Sequence, residues 1–114
     1  MKYMLQVRFN GADAVIGGLS ADEQEKLTAE FIAIRKSFGV LDGNQLEAPS
    51  SASTVRVRDG QTIVSEGPAV AGGAELNGYY IYEAPNLDAA IAFASRIPVA
   101  RMGGTVEVRA MVER

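Results

Sequence analysis

The chain has 114 residues, 47% of them hydrophobic and 22% charged, and 14 acids against 11 bases leave a net charge of −3. That composition fits one globular domain spanning the whole chain, and its mild acidity argues against a nucleic-acid partner or an anionic membrane surface, where basic residues supply the affinity. Cysteine and histidine are both absent, which excludes disulfides, thiolate nucleophiles, Cys/His zinc centres and every Ser-His-Asp device.

The remaining acid/base groups are Glu, Asp, Tyr and Lys. No apolar run approaches the ~18 residues that a membrane span needs, and no secretory pattern precedes the first strand, so the expected address is the cytoplasm. Acidic residues do not cluster as in a calcium loop, and Gly72-Gly73 lacks the lysine and spacing of a phosphate loop. The expectation is therefore a protein without metal or other cofactor.

Residues 2–9 alternate, with Tyr3, Leu5, Val7 and Phe9 on one side and Lys2, Met4, Gln6 and Arg8 on the other. Period two over this length predicts a strand with one apolar face. Gly11 to Gly18 reads as a flexible connection. Ser20 and Glu23 have the spacing of a capping box, and Leu27, Phe31, Ile34 and Phe38 then form one apolar helical stripe closed by Gly39. Val40-Leu41 reads as a short extended piece, and the Gly-, Asn-, Pro- and Ser-rich residues up to Ser53 as loop.

Asp59-Gly60 between Thr54–Arg58 and Gln61–Ser65 predicts a two-residue hairpin pairing Val55 with Val64 and Val57 with Thr62. Arg56 and Arg58, on its other face, read as solvation and edge protection rather than an anion site. Gly67-Pro68 ends that ladder. Leu76–Glu83 predicts a strand with Gly78, Tyr80 and Tyr82 on one face. Asn86 caps a second helix whose buried stripe is Leu87, Ala90, Ile91, Ala94 and Ile97, stopped by Pro98. Residues 105–113 alternate again.

The resulting plan is α+β: a ferredoxin-like βαββαβ arrangement with an inserted β-hairpin. Both helices cover one sheet face, and the other is left for a partner subunit.

The KYMLQV start, the TVRVRDG hairpin, the Gly67-Pro68 pair, the NGYYIYEA strand, the LDAAIAFASRIP helix and the GGTVEVR ending together resemble the YCII-related proteins, in particular their DGPF branch. The resemblance covers essentially the whole chain. It implies a ferredoxin-like protomer and a dimeric α/β barrel built by two copies packing sheet against sheet. Glu66 stands where that branch has its aspartate and Ala69 where it has phenylalanine, while Ala71, Gly73 and Ala74 replace charged loop residues. The histidine-aspartate pair proposed for the other branch has no histidine here to form it.

Three functions compete on this basis. The preferred expectation is a non-catalytic homodimeric module that binds a small molecule or a protein between the sheets, beside the Glu66–Glu75 loop, with Arg8, Glu66, Gly67, Pro68, Tyr80 and Tyr82 as candidates for the cleft. The alternative is a small enzyme using Glu66 as general acid/base, with Arg8, Tyr80 or Tyr82 orienting the substrate. The third is RNA stacking on the aromatic strand, disfavoured by Tyr80 at the position needing a small residue and by the net negative charge.

Overall fold

In the computed structural model, residues 1–70 and 75–113 are described. They form six strands and three helices: β1 (Lys2–Arg8), α1 (Ala12–Gly17), α2 (Ala21–Arg35), β2 (Val40–Gln45), β3 (Ser53–Arg58), β4 (Gln61–Glu66), β5 (Leu76–Glu83), α3 (Leu87–Ala94) and β6 (Thr105–Ala110). Short 3₁₀ turns cover Pro49–Ser51 and Pro98–Arg101. The main sheet has the order β2-β5-β1-β6, antiparallel throughout. That order, with the helices on one face, is consistent with a ferredoxin-like fold.

The core forms where the apolar face of β1 meets the helices. Tyr3, Leu5, Val7 and Phe9 are buried against Ile34 of α2 and Ala90 and Phe93 of α3. Tyr82 stacks on Phe93, ring centroids 4.1 Å apart and planes within 9°. The guanidinium of Arg96 lies 5.3 Å from the Phe93 ring centre, an arrangement that favours a cation over the aromatic face. Helix α2 begins with the full capping box: the Ser20 hydroxyl accepts from the Glu23 amide at 3.1 Å, and Glu23 accepts in return from the Ser20 amide at 3.1 Å.

Several expectations are corrected. The connection after β1 contains the helix α1, which Gln24 clasps by donating from Nε2 to the Ile16 and Leu19 carbonyls. Phe38 is not on the α2 stripe: the helix ends at Arg35, and Phe38 is 99% exposed. Gly39 serves the next element rather than the helix end. At φ 93° it accepts from the Glu83 amide at 2.8 Å, and a Cβ there would lie 2.8 Å from the Tyr82 ring.

The predicted loop after Leu41 is an edge strand, β2, because β5 offers it a free row of backbone groups. In α3 the buried residues are Ala90, Phe93 and Ala94, whereas Leu87 and Ile91 are each 49% exposed. The helix is only eight residues long, so its inward face is narrow, and Ile97 is buried just beyond its end. Strand β6 stops at Ala110, leaving Val112 78% exposed.

Strands β3 and β4 form a separate two-stranded sheet in the register read from the Asp59-Gly60 turn. Both turn residues have positive φ, 52° and 76°, as a type I′ turn requires. Among the described residues neither face of this ribbon is covered: Val55, Val57 and Val64 on one face are at least 60% exposed, and Ile63 on the other is 42% exposed.

Candidate functional site

The antiparallel register between β1 and β5 decides which side chains can meet. Leu5 is opposite Tyr80 and Tyr3 opposite Tyr82, whereas Met4 is opposite Ile81 and Gln6 opposite Tyr79. Tyr80 and Tyr82 therefore face the helices. Arg8 lies on the other face, with Gln6, to whose Oε1 it donates from Nη2 at 2.9 Å. The expected convergence of Arg8 with the two tyrosines does not occur, because the register places them on opposite sides of one sheet.

Near its start β5 carries a bulge. Val7 pairs with Gly78 and Arg8 with Leu76, leaving Asn77 as the extra residue. Bulges redirect side chains, and here Asn77 donates from Nδ2 to the Phe9 carbonyl at 3.0 Å. Its Oδ1 is buried and has no hydrogen-bond partner among the described residues. The chain beside it is pinned by the Phe9 amide donating to the Glu75 carbonyl and by Asn10 Oδ1 accepting from the Glu75 amide.

Between α1, α2 and the β2–β5 edge of the sheet lies a cavity of about 850 Å³. Its apolar wall includes Ile16, Leu27 and Phe31 from the helices, with Val7 and Phe9 from the β1 side. Tyr80, 9% exposed, closes one end. Its ring lies over Gly43, directly opposite it on β2, where a Cβ would come within 2.5 Å of Tyr80 Cδ1. The Arg35 guanidinium reaches the same spot, with Nη1 3.4 Å from that Cβ position. Burial raises the Tyr80 phenol pKa, and the positive charge of Arg35 pulls partly against it. The Tyr80 hydroxyl donates to no described residue.

Arg35 itself is only loosely held. Its Nη2 lies 3.7 Å from Asp42 Oδ1, and both side chains are about half exposed, so this ion pair contributes little. Arg35 was invisible as a site residue in the sequence, where it reads as the last solvated turn of a helix. The signal that could have found it is its place one helical turn beyond Phe31.

The remaining sequence candidates lie elsewhere. Glu66 ends β4, is exposed, and does not line the cavity. Gly67, at φ 95°, closes the base of the hairpin: its amide donates to the Ala52 carbonyl and its carbonyl accepts from the Thr54 hydroxyl, both at 2.7 Å. Pro68 follows, exposed. The expectation of a small-residue loop at Ala71, Gly73 and Ala74 falls outside the described residues.

The sequence of this chain matches the model of the YCII-related domain over residues 1–113. It belongs to the YCII-related family. An uncharacterised protein of Rhizobium meliloti (strain 1021) is 29% identical over 103 residues, covering 85% of this chain and 82% of that relative. Among solved structures, the 5-chloro-2-hydroxyhydroquinone dehydrochlorinase of Burkholderia phenoliruptrix AC1100, in complex with 2,5-dihydroxybenzoquinone, superposes with a TM-score of 0.54 at 14% identity. The match covers all of this chain and 96% of the dehydrochlorinase. At that identity the similarity concerns the fold. Among the described residues no group of His, Cys, Asp and Glu is placed to hold a metal ion, and no helix is long and apolar enough to cross a membrane.

Proposed function

We propose that this YCII-related protein is a small-molecule-binding module whose ligand occupies the cavity between α1, α2 and the β2–β5 edge. The observation that carries this reading is Tyr80, a residue 9% exposed in the wall of a cavity of about 850 Å³, whose hydroxyl has no described partner. A volume of that size, mostly apolar with a few polar groups, is what ligand sites of this class present. The dehydrochlorinase with the same fold holds a small hydroxylated ring, which suggests similarly sized ligands here. The test is a panel of small phenols and hydroxyquinones added to ¹⁵N-labelled protein. Shifts at Gly43, Gly78 and Tyr80 that spare Val55 and Val64 support the cavity; shifts confined to the hairpin, or none, overturn it.

The proposal includes a homodimer formed through the other sheet face. That face carries Met4, Gln6 and Arg8 beside Tyr79 and Ile81, and its half-apolar character suits packing against a second copy.

A second reading, an enzyme with Glu66 as general acid/base, is favoured by the dehydrochlorinase activity of the structural neighbour. The exposure of Glu66 on the hairpin, away from the cavity, weighs against it. Turnover that vanishes in Glu66→Gln while fold and dimer persist would establish it over the binding module.

A further inference from the structure

The cavity is electrically lopsided. Arg35 is the one basic side chain among its described wall residues, and it stands at the Tyr80–Gly43 end. The acids of the wall, Asp13, Glu47 and Glu75, stand at the other. Backbone pairing fixes that separation. Phe9 bonds to Glu75 just before α1 and Asp13, and the Leu46 amide, next to Glu47, donates to the Asn77 carbonyl. From Glu75 to Tyr80 the strand advances by roughly 15 Å. The apolar part of the wall comes from Leu27, Phe31 and Val7 among others.

We infer that the cavity takes an apolar monoanion, a carboxylate or phenolate on an aliphatic or aromatic body, with its charged oxygen at Arg35 and the Tyr80 hydroxyl. This rests on the cavity being the ligand site. Two independent observations point the same way: a guanidinium with donors to spare beside its 3.7 Å contact to Asp42, and a Tyr80 hydroxyl, in a residue 9% exposed, with no described partner. An oxyanion answers both, because it accepts from the guanidinium and the phenol together. The carboxylates at the far end repel a second negative charge, so the ligand lies one way round, with an uncharged tail toward Asp13, Glu47 and Glu75. A tyrosine phenol carries its proton at neutral pH and can donate it to the ligand oxygen.

The test uses four probes with one apolar body: octanoate, octan-1-ol, octylamine and octanedioate, titrated into the full-length protein and followed by amide shifts of the cavity residues and by calorimetry. Octanoate is expected to bind at least about fivefold more tightly than octan-1-ol, with octylamine and octanedioate weaker than octanoate. Arg35→Gln, at an exposed position, is expected to erase the advantage of octanoate over octan-1-ol, and Tyr80→Phe to reduce it. Octylamine or octanedioate binding as well as octanoate overturns the inference, as does an octanoate preference that survives Arg35→Gln; in both cases the cavity still binds and the proposed function stands. Failure of all four probes to move any cavity residue overturns the inference and the cavity reading together.

Discussion

Gly43 and Tyr80 face each other across β2 and β5 so closely that a single added carbon on Gly43 would lie 2.5 Å from Tyr80 Cδ1 and 2.9 Å from Cε1. The glycine lets the phenol ring lie flat on an edge strand and close the end of the cavity. It thereby couples a backbone detail of β2 to the shape of the proposed site.

Gly43→Ala is expected to destabilise the protein by about 1–3 kcal/mol, the range for overpacking a filled position. The ring must rotate away, so ligand affinity should fall with stability. Chemical denaturation of the variant beside Tyr80→Phe checks this. Removing the hydroxyl alone leaves the ring in place and breaks no described hydrogen bond, so Tyr80→Phe should be near neutral or slightly stabilising.

Gly60→Val should raise the free energy of the hairpin turn by about 1 kcal/mol or more, since a β-branched residue resists positive φ. A Cβ at Gly60 meets nothing within 4 Å, so the cost is one of backbone conformation. Because, among the described residues, β3 and β4 pair only with each other, it falls on the ribbon. Hydrogen exchange at Arg56, Ile63 and Ser65, whose amides face the partner strand in this register, is expected to accelerate about fivefold or more, while the amides of β1 and β5 keep their protection. Equal acceleration in both sheets would contradict this.

The capping box makes the start of α2 sensitive to acid. The backbone hydrogen bond with Ser20, followed by its hydroxyl, holds the Glu23 pKa below the ordinary value of 4.5. A depressed folded pKa gives stability that is present above the unfolded value and is lost as pH falls through the folded one. The first turn of α2 should therefore fray below pH 4.5 in the wild type. In Glu23→Gln that acid-dependent step should disappear. Ser20→Ala should cost about 1 kcal/mol at neutral pH through loss of the cap.

The proposed dimer predicts twice the chain mass in light scattering at micromolar concentration. Ile81→Lys, on the sheet face away from the helices, should yield monomer with cavity binding retained. Monomer mass for the wild type would sink the dimer, and a dimer surviving Ile81→Lys would move its interface elsewhere.

Much of the fold was legible because its signals are local. The alternation of Tyr3, Leu5 and Val7, the Ser20–Glu23 cap and the Asp59-Gly60 turn each depend on neighbours within a few residues. Where signals were misread, a distant partner intervened. The polar run of β2 is strand only because β5 leaves an edge beside it. Phe38 completes a helical period on paper, yet the helix stops at Arg35 before reaching it. Phe93 was overlooked because an eight-residue helix buries too few positions for periodicity to single one out.

Sequence by itself determined the chemistry that is excluded, since residue types absent from the chain cannot be restored by folding, and it determined the alternating faces of β1 and β5 separately. Only tertiary structure decided how those faces combine. Pairing Leu5 with Tyr80 sends Tyr80 to the helices and leaves Arg8 behind on the opposite face. The approach of α2 over Gly43, which no local pattern announces, then brings Arg35 to Tyr80. A strand has two faces whatever its sequence, and which of them meets a given neighbour is settled by register across the sheet.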